Sequence, residues 1–199
     1  LRSTLLRCVS IRGMSEVLDR YRTLADDFSA RVNTVPAADW SNQSPCEGWQ
    51  ARDVVAHVIE GHRRFLATLD GTPEPSGDPG EDVVPAWAAA RSDFETALAD
   101  PDRAGRVVET PFGAMPFEAL IGRFVCVDLL VHTWDLSRAT GLDERINADA
   151  VGHAYEGLKP MDAMLRGPGR FADKVTPPAG ADLQTEFLCF LGRDAAPLP

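Results

Sequence analysis

The stretch Phe124-Val125-Cys126-Val127-Asp128-Leu129-Leu130-Val131-His132-Thr133-Trp134 carries one charged side chain in an otherwise apolar run. A segment this apolar fits a helix covered on nearly every side. An ionised carboxylate inside such a helix is expensive unless a partner compensates it. Asp128 and His132 lie four residues apart, so both project from one face, a turn from each other. Two potential metal ligands at that spacing make a bound cation the cheapest compensation. A purely structural carboxylate–imidazole pair is the competing account.

The rest of the chain reads as helices around that element. Val17, Leu18, Tyr21, Leu24, Phe28 and Val32 recur at helical spacing and predict an amphipathic helix over residues 15–35, ended by Pro36. A linker with Trp40 and the breaker-rich Ser44-Pro45-Cys46-Glu47-Gly48-Trp49 follows. Val54, Val55, Val58, Ile59, Phe65, Leu66 and Leu69 form the stripe of a second helix over residues 51–69, stopped by Asp70-Gly71. Residues 71–80, rich in Gly and Pro, predict a loop. A third helix covers residues 84–99, with Pro85 in its first turn. Residues 106–115 suit a short hairpin around Pro111–Gly113. The fourth helix runs from Pro116 to Thr140, with Gly141 as its cap. Two shorter helices follow, over residues 148–165 with a bend at Pro160 and over residues 181–191. The expected class is all-α, most simply an antiparallel four-helix bundle with short C-terminal helices and a small hairpin.

Residues 1–13 carry Arg2, Arg7 and Arg12 and no acid, whereas Met14-Ser15-Glu16 resembles a conventional start. We read residues 1–13 as a leader or expression remnant and residues 14–199 as one helical domain. The net charge of −10 argues against nucleic acid and anionic membranes as partners. No apolar run approaches the roughly 20 residues that cross a bilayer. Cys8, Cys46, Cys126 and Cys189 are scattered, which suggests reduced thiols in a cytoplasmic protein.

The histidines are His57, His62, His132 and His153. His57 sits about 60° from Val54 on a helical wheel, at the edge of the apolar stripe, whereas His62 is nearer its middle. By periodicity alone His62 therefore competes with His57 as a ligand. His153 reads as structural or exposed, and Cys126 and Cys189 as core residues. Cys46, near a helix start, suits either a turn role or a reactive thiol. Glu60 and Asp135 are the nearest acids that could act as a base or orient a ligand histidine. Arg64 and Arg138 are candidates for receiving an anionic substrate group.

Two segments carry a family likeness. Ser44-Pro45-Cys46-Glu47-Gly48-Trp49 followed by Ala51-Arg52-Asp53-Val54-Val55-Ala56-His57-Val58 resembles one signature of the DinB-like metal-binding bundles. Asp128-Leu129-Leu130-Val131-His132-Thr133-Trp134-Asp135-Leu136 with Arg138-Ala139-Thr140-Gly141 resembles their second. The likeness covers most of residues 15–194, including the Phe190-Leu191-Gly192-Arg193-Asp194 ending. It is strongest to actinobacterial proteins akin to the metal-binding domain of mycothiol-dependent maleylpyruvate isomerase. The resemblance implies a four-helix bundle with a divalent metal, zinc or else nickel, held by His57, Asp128 and His132. It also implies mycothiol or a similar low-molecular-weight thiol as co-substrate. Two histidines and a carboxylate leave a coordination position open, where a thiol would be held as thiolate.

The isomerase relatives carry Glu where this chain has Asp128, and a further C-terminal domain that helps to form their substrate site. Maleylpyruvate isomerisation itself is therefore not the expected reaction. The expected activity is a thiol-dependent transferase or isomerase acting on a small molecule. Metal-assisted hydrolysis, a non-catalytic metal- or ligand-binding bundle and a purely structural homodimer are the alternatives.

Overall fold

The computed structural model describes residues 2–74, 82–110, 113–166 and 171–196, with side chains from Glu16 onward. Helix α1 spans Arg2–Val32, so its backbone runs without a break through the segment expected to stand apart from the fold. Helix α2 spans Ala51–Asp70 and α3 spans Val83–Ala99. Gln50 and Asp53 form a capping box at the start of α2, with the Gln50 backbone N–H donating to the Asp53 carboxylate at 2.8 Å. Short helix α4, Pro101–Ala104, leads into an antiparallel pair, β1 (Val107–Val108) and β2 (Met115–Pro116), as the hairpin reading expected. Pro111 and Phe112, at the expected turn, lie outside the described residues, as do residues 75–81 and 167–170.

The fourth long helix is not uniform. Helix α5 (Phe117–Leu120) passes into a π-helical turn (Ile121–Val125) and then into α6 (Cys126–Thr140). Such a turn inserts one extra residue into the ladder and rotates everything after it. Asp128 lies three residues beyond its end. Gly122, within it, faces Val17 of α1, whose side chain an added Cβ would meet at 3.4 Å. Helix α6 is buried on most sides, and its hydroxyls are satisfied internally. Thr133, Ser137 and Thr140 each donate to the carbonyl four residues back, at 2.7, 2.8 and 2.7 Å. Gly141, at a positive φ of 66°, closes the helix and donates its N–H to the Ser137 carbonyl.

Helix α1 packs against α3 and α6, and α2 against the same two, so α1 and α2 face each other across the bundle's diagonal. The simplest bundle would instead place helices adjacent in sequence side by side. The diagonal arrangement accounts for the long α1–α2 connection. That connection crosses the bundle end, is tied to α6 by a bond from Asn42 Nδ2 to the Ala139 carbonyl at 3.1 Å, and delivers residues 44–49 to the α2–α6 seam. The core holds Tyr21, Phe28, Ile59, Trp87, Phe94, Phe117, Leu129, Leu130 and Trp134. Helices α7 (Ala148–Leu158) and α8 (Leu183–Phe190) pack on each other beside α6, and a 3-10 stretch (Lys159–Leu165) follows α7 at the expected bend.

Candidate metal centre

The α2–α6 seam brings together the three residues that the resemblance singles out. Asp128 Oδ1 lies 3.6 Å from His57 Nε2 and 3.3 Å from His132 Nε2. One donor atom from each of the three falls within 4.8 Å of the others. A tetrahedral zinc with ligands at about 2.1 Å separates its donors by about 3.4 Å. The donor types and the two short separations therefore fit a divalent cation. The site opens to solvent on one side: the His57 and Asp128 side chains are 36% and 32% exposed, whereas His132 is 6% exposed.

Charge favours a cation there. Packing opposes the ionised form of Asp128, but the His132 charge and the polar contacts of both imidazoles hold its carboxyl well below the usual carboxylate range. Burial likewise opposes a proton on His132, yet Asp128 and Asp135 on either side of the ring raise its proton affinity well above the ordinary value. His132 Nδ1–H donates to Asp135 Oδ2 at 2.9 Å, which leaves Nε2 directed at Asp128 and His57. Asp135 is fully buried; burial works against its charge, but bonds from His132 and Arg193 bring it down to about 2.

The 44–49 loop walls the site. The Trp49 ring lies 4.9 Å from the His57 ring and stacks at 6.1 Å on the His132 ring. Ser44 N–H donates to the Trp49 carbonyl at 2.8 Å and Trp49 N–H to the Cys46 carbonyl at 3.0 Å, closing a tight loop. Cys46 thereby reaches the far side of His132, where its thiol donates to Asp135 Oδ2 at 3.4 Å. Cys46, His132 and Asp135 form a second group whose donor atoms also fall within 4.8 Å of one another.

Other candidates fall elsewhere. His62, which periodicity ranked beside His57, is buried: Nδ1–H donates to the Val58 carbonyl at 2.7 Å, and Nε2 accepts from the Tyr21 hydroxyl at 3.0 Å. Both ring nitrogens are used, and Trp87 and Phe94 pack around the ring. His153 is exposed, and Cys126 and Cys189 are core residues, with burial pushing the Cys126 thiol up to about 12. Arg64 pairs with Glu74, and Arg138 pairs with Glu144 while lying over the Trp134 ring, so both proposed anion receivers are engaged elsewhere. Of the two acids weighed for orienting a histidine, Asp135 bonds His132. Sequence reasoning passed over Arg193 and Trp49 as individual contributors. Their available signals were a lone arginine directly after an apolar helix and an aromatic ahead of the His57 helix.

Comparisons with known proteins bear on the family and the fold. The profile of the mycothiol maleylpyruvate isomerase N-terminal domain family matches residues 21–137. Two uncharacterised proteins from two strains of Mycobacterium tuberculosis are each 30% identical over 173 residues, covering 84% of this chain and 92% of the relative. The crystal structure of a mutant mycothiol-dependent maleylpyruvate isomerase superposes with a TM-score of 0.61 at 16% identity, covering 78% of this chain and 74% of that one. A second crystal structure of the same isomerase gives 0.51 at 17% identity over the same shares. These structural likenesses establish the helical fold. The profile match spans more than half of the sequence: the chain belongs to the mycothiol maleylpyruvate isomerase N-terminal domain family.

Proposed function

We propose that this protein binds a divalent metal, zinc in the first instance, through His57, Asp128 and His132, and that it works as a thiol-dependent transferase or isomerase. One observation carries the reading: imidazoles from two separate helices converge on a single carboxylate oxygen, at 3.6 and 3.3 Å, beside a solvent opening. Three protein ligands with an open fourth position is the arrangement of catalytic rather than structural zinc sites. Family membership and the mycothiol-dependent solved relatives support a low-molecular-weight thiol such as mycothiol as the co-substrate.

The chain's own residues divide the work. His57 offers an imidazole nitrogen, His132 offers Nε2 once a metal displaces the proton there, and Asp128 supplies one negative charge, so the ligand set would leave net positive charge for an anionic guest. A divalent ion bound there would favour the thiolate over the thiol. Asp135 keeps a proton on His132 Nδ1, which fixes the ring's orientation and its donor nitrogen. Trp49 packs against both imidazoles, and the exposed side of His57 and Asp128 is the mouth through which a thiol and a small substrate would enter. Asp135 is buried behind His132, so a proton at the mouth passes through the substrate thiol or solvent.

Metal analysis of the purified protein and of His132→Ala tests the binding half. One ion per chain is expected for the wild type and much less than one for the variant; equal content in both removes the reading. Activity of the loaded protein that is unchanged on omitting thiol would replace the transferase by a hydrolase.

A further inference from the structure

His132 stands between two donor groups, and the sequence offers no obvious reason why a metal should prefer one. On its Nε2 side lie Asp128 and His57; on its Nδ1 side lie Asp135 and Cys46. The second group contains a sulfur, and a thiolate–imidazole–carboxylate set is at least as attractive to zinc-like ions. The residue that distinguishes the two sides is Arg193. Its Nη2 donates to Asp135 Oδ2 at 2.8 Å and to Cys46 Sγ at 3.4 Å, while Nε donates to Asp135 Oδ1 at 3.1 Å. The Arg193 side chain is only 11% exposed, and a guanidinium keeps its charge at any working pH.

We propose that Arg193 is a built-in cation that blocks metal binding at Cys46, His132 and Asp135. By clamping Asp135 onto His132 Nδ1–H, it commits His132 Nε2 to the ion at His57 and Asp128. Arg193 is thus a positioning residue, and the inference rests on the metal reading above. The clamp is held by the turn after α8. Gly192 has a φ of +83°, and a Cβ there would lie 2.8 Å from Ala172 Cβ and 2.9 Å from the Asp173 carbonyl, so only glycine fits. Arg193 N–H donates to the Leu188 carbonyl at 2.9 Å and Nη1 to the Leu191 carbonyl at 3.3 Å, which fixes the side chain at its root. The C-terminal turn, outside the matched residues 21–137, thereby becomes part of the metal centre.

Cobalt(II) titration of the full chain, followed by absorption spectroscopy, tests this. The wild type is expected to bind cobalt without a sulfur-to-cobalt charge-transfer band. Arg193→Gln should acquire that band and lose it again when Cys46→Ser is added. Its affinity at the His57 centre should fall about 10–100-fold. Arg193→Lys, which keeps the charge, should show no such band. Because removing the guanidinium strands a buried carboxylate, Asp135→Asn with Arg193 intact is the second variant, expected to weaken cobalt binding about 10–100-fold. An Arg193→Gln protein with wild-type spectrum and affinity, or an Asp135→Asn protein with wild-type affinity, overturns the proposal. Cobalt binding by the wild type that survives His57→Ala would sink the metal reading instead, and the thiolate band in Arg193→Gln still decides the role of Arg193.

Discussion

His57 and His62 leave the same helix five residues apart and end in opposite environments. His62 is 1% exposed, both its nitrogens are bonded, and aromatic rings surround it. His57 stands at the α2–α6 seam, partly in solvent, with its Nε2 facing a carboxylate and a second imidazole. The residue nearer the centre of the apolar stripe is a core part, and the residue at its edge is the one that faces other polar side chains at the seam. A stripe's centre points at the bundle interior, where polar groups must be consumed by bonds. Its edge points at the groove between neighbouring helices, where a donor can stay available to a guest.

The sharpest way to break that contrast is to remove each ring in turn. His57→Ala should lower zinc affinity by on the order of a thousandfold, about 4 kcal/mol, because losing a ligand costs more than losing its support. Its melting temperature without added metal should stay close to that of the wild type. His62→Ala should do the reverse and lose about 3 kcal/mol of stability, from the cavity and the stranded Tyr21 hydroxyl. Its metal stoichiometry should not change. Isothermal titration and denaturant unfolding on both variants test the pair, and any crossover between the two effects removes the distinction.

Acid sharpens the comparison further. Burial lowers the His62 pKa from its ordinary 6.5 to about 4. Between those values the unfolded chain binds a proton that the folded chain refuses, so stability falls as pH drops from about 6.5 to about 4 and levels off below. The span is worth about 3 kcal/mol. Unfolding free energies measured across this range should show a shallower acid limb in His62→Gln than in the wild type. Identical limbs would mean that the buried imidazole is not what resists protonation.

Much of this arrangement was legible in the chain, and the gaps have physical reasons. The apolar run around Asp128 and the i, i+4 spacing to His132 located half of the site, because helical geometry converts spacing into proximity. Periodicity also delimited α2 and α3 to within a residue or so, since Asp70-Gly71 at the end of one and Pro85 in the first turn of the other carry local signals. The choice of His57 over His62 came from the family resemblance; a stripe says which face is buried and not against what. For the same reason the diagonal packing of α1 and α2 had no sequence signature. The π-turn at Ile121–Val125 was invisible because one inserted residue barely disturbs an apolar pattern. Arg193 was missed because it meets Asp135 from 58 residues away, and no local rule links them.

The smallest expected effect concerns Trp49, which packs on the His57 ring as Trp87 packs on that of His62. The rings around His62 belong to the folded core, whereas Trp49 sits on a loop held by backbone bonds that do not need the indole. Trp49→Ala should therefore leave the unfolding free energy nearly unchanged. It should weaken zinc binding roughly fivefold, about 1 kcal/mol, the usual value of an aromatic contact beyond its buried area. Paramagnetic or open-shell ions such as cobalt or nickel should quench the Trp49 share of the wild-type fluorescence, and that quenching should vanish in the variant. Binding that is unaltered in Trp49→Ala would show that the seam between α2 and α6 positions His57 unaided and that the loop serves only to admit or exclude the guest.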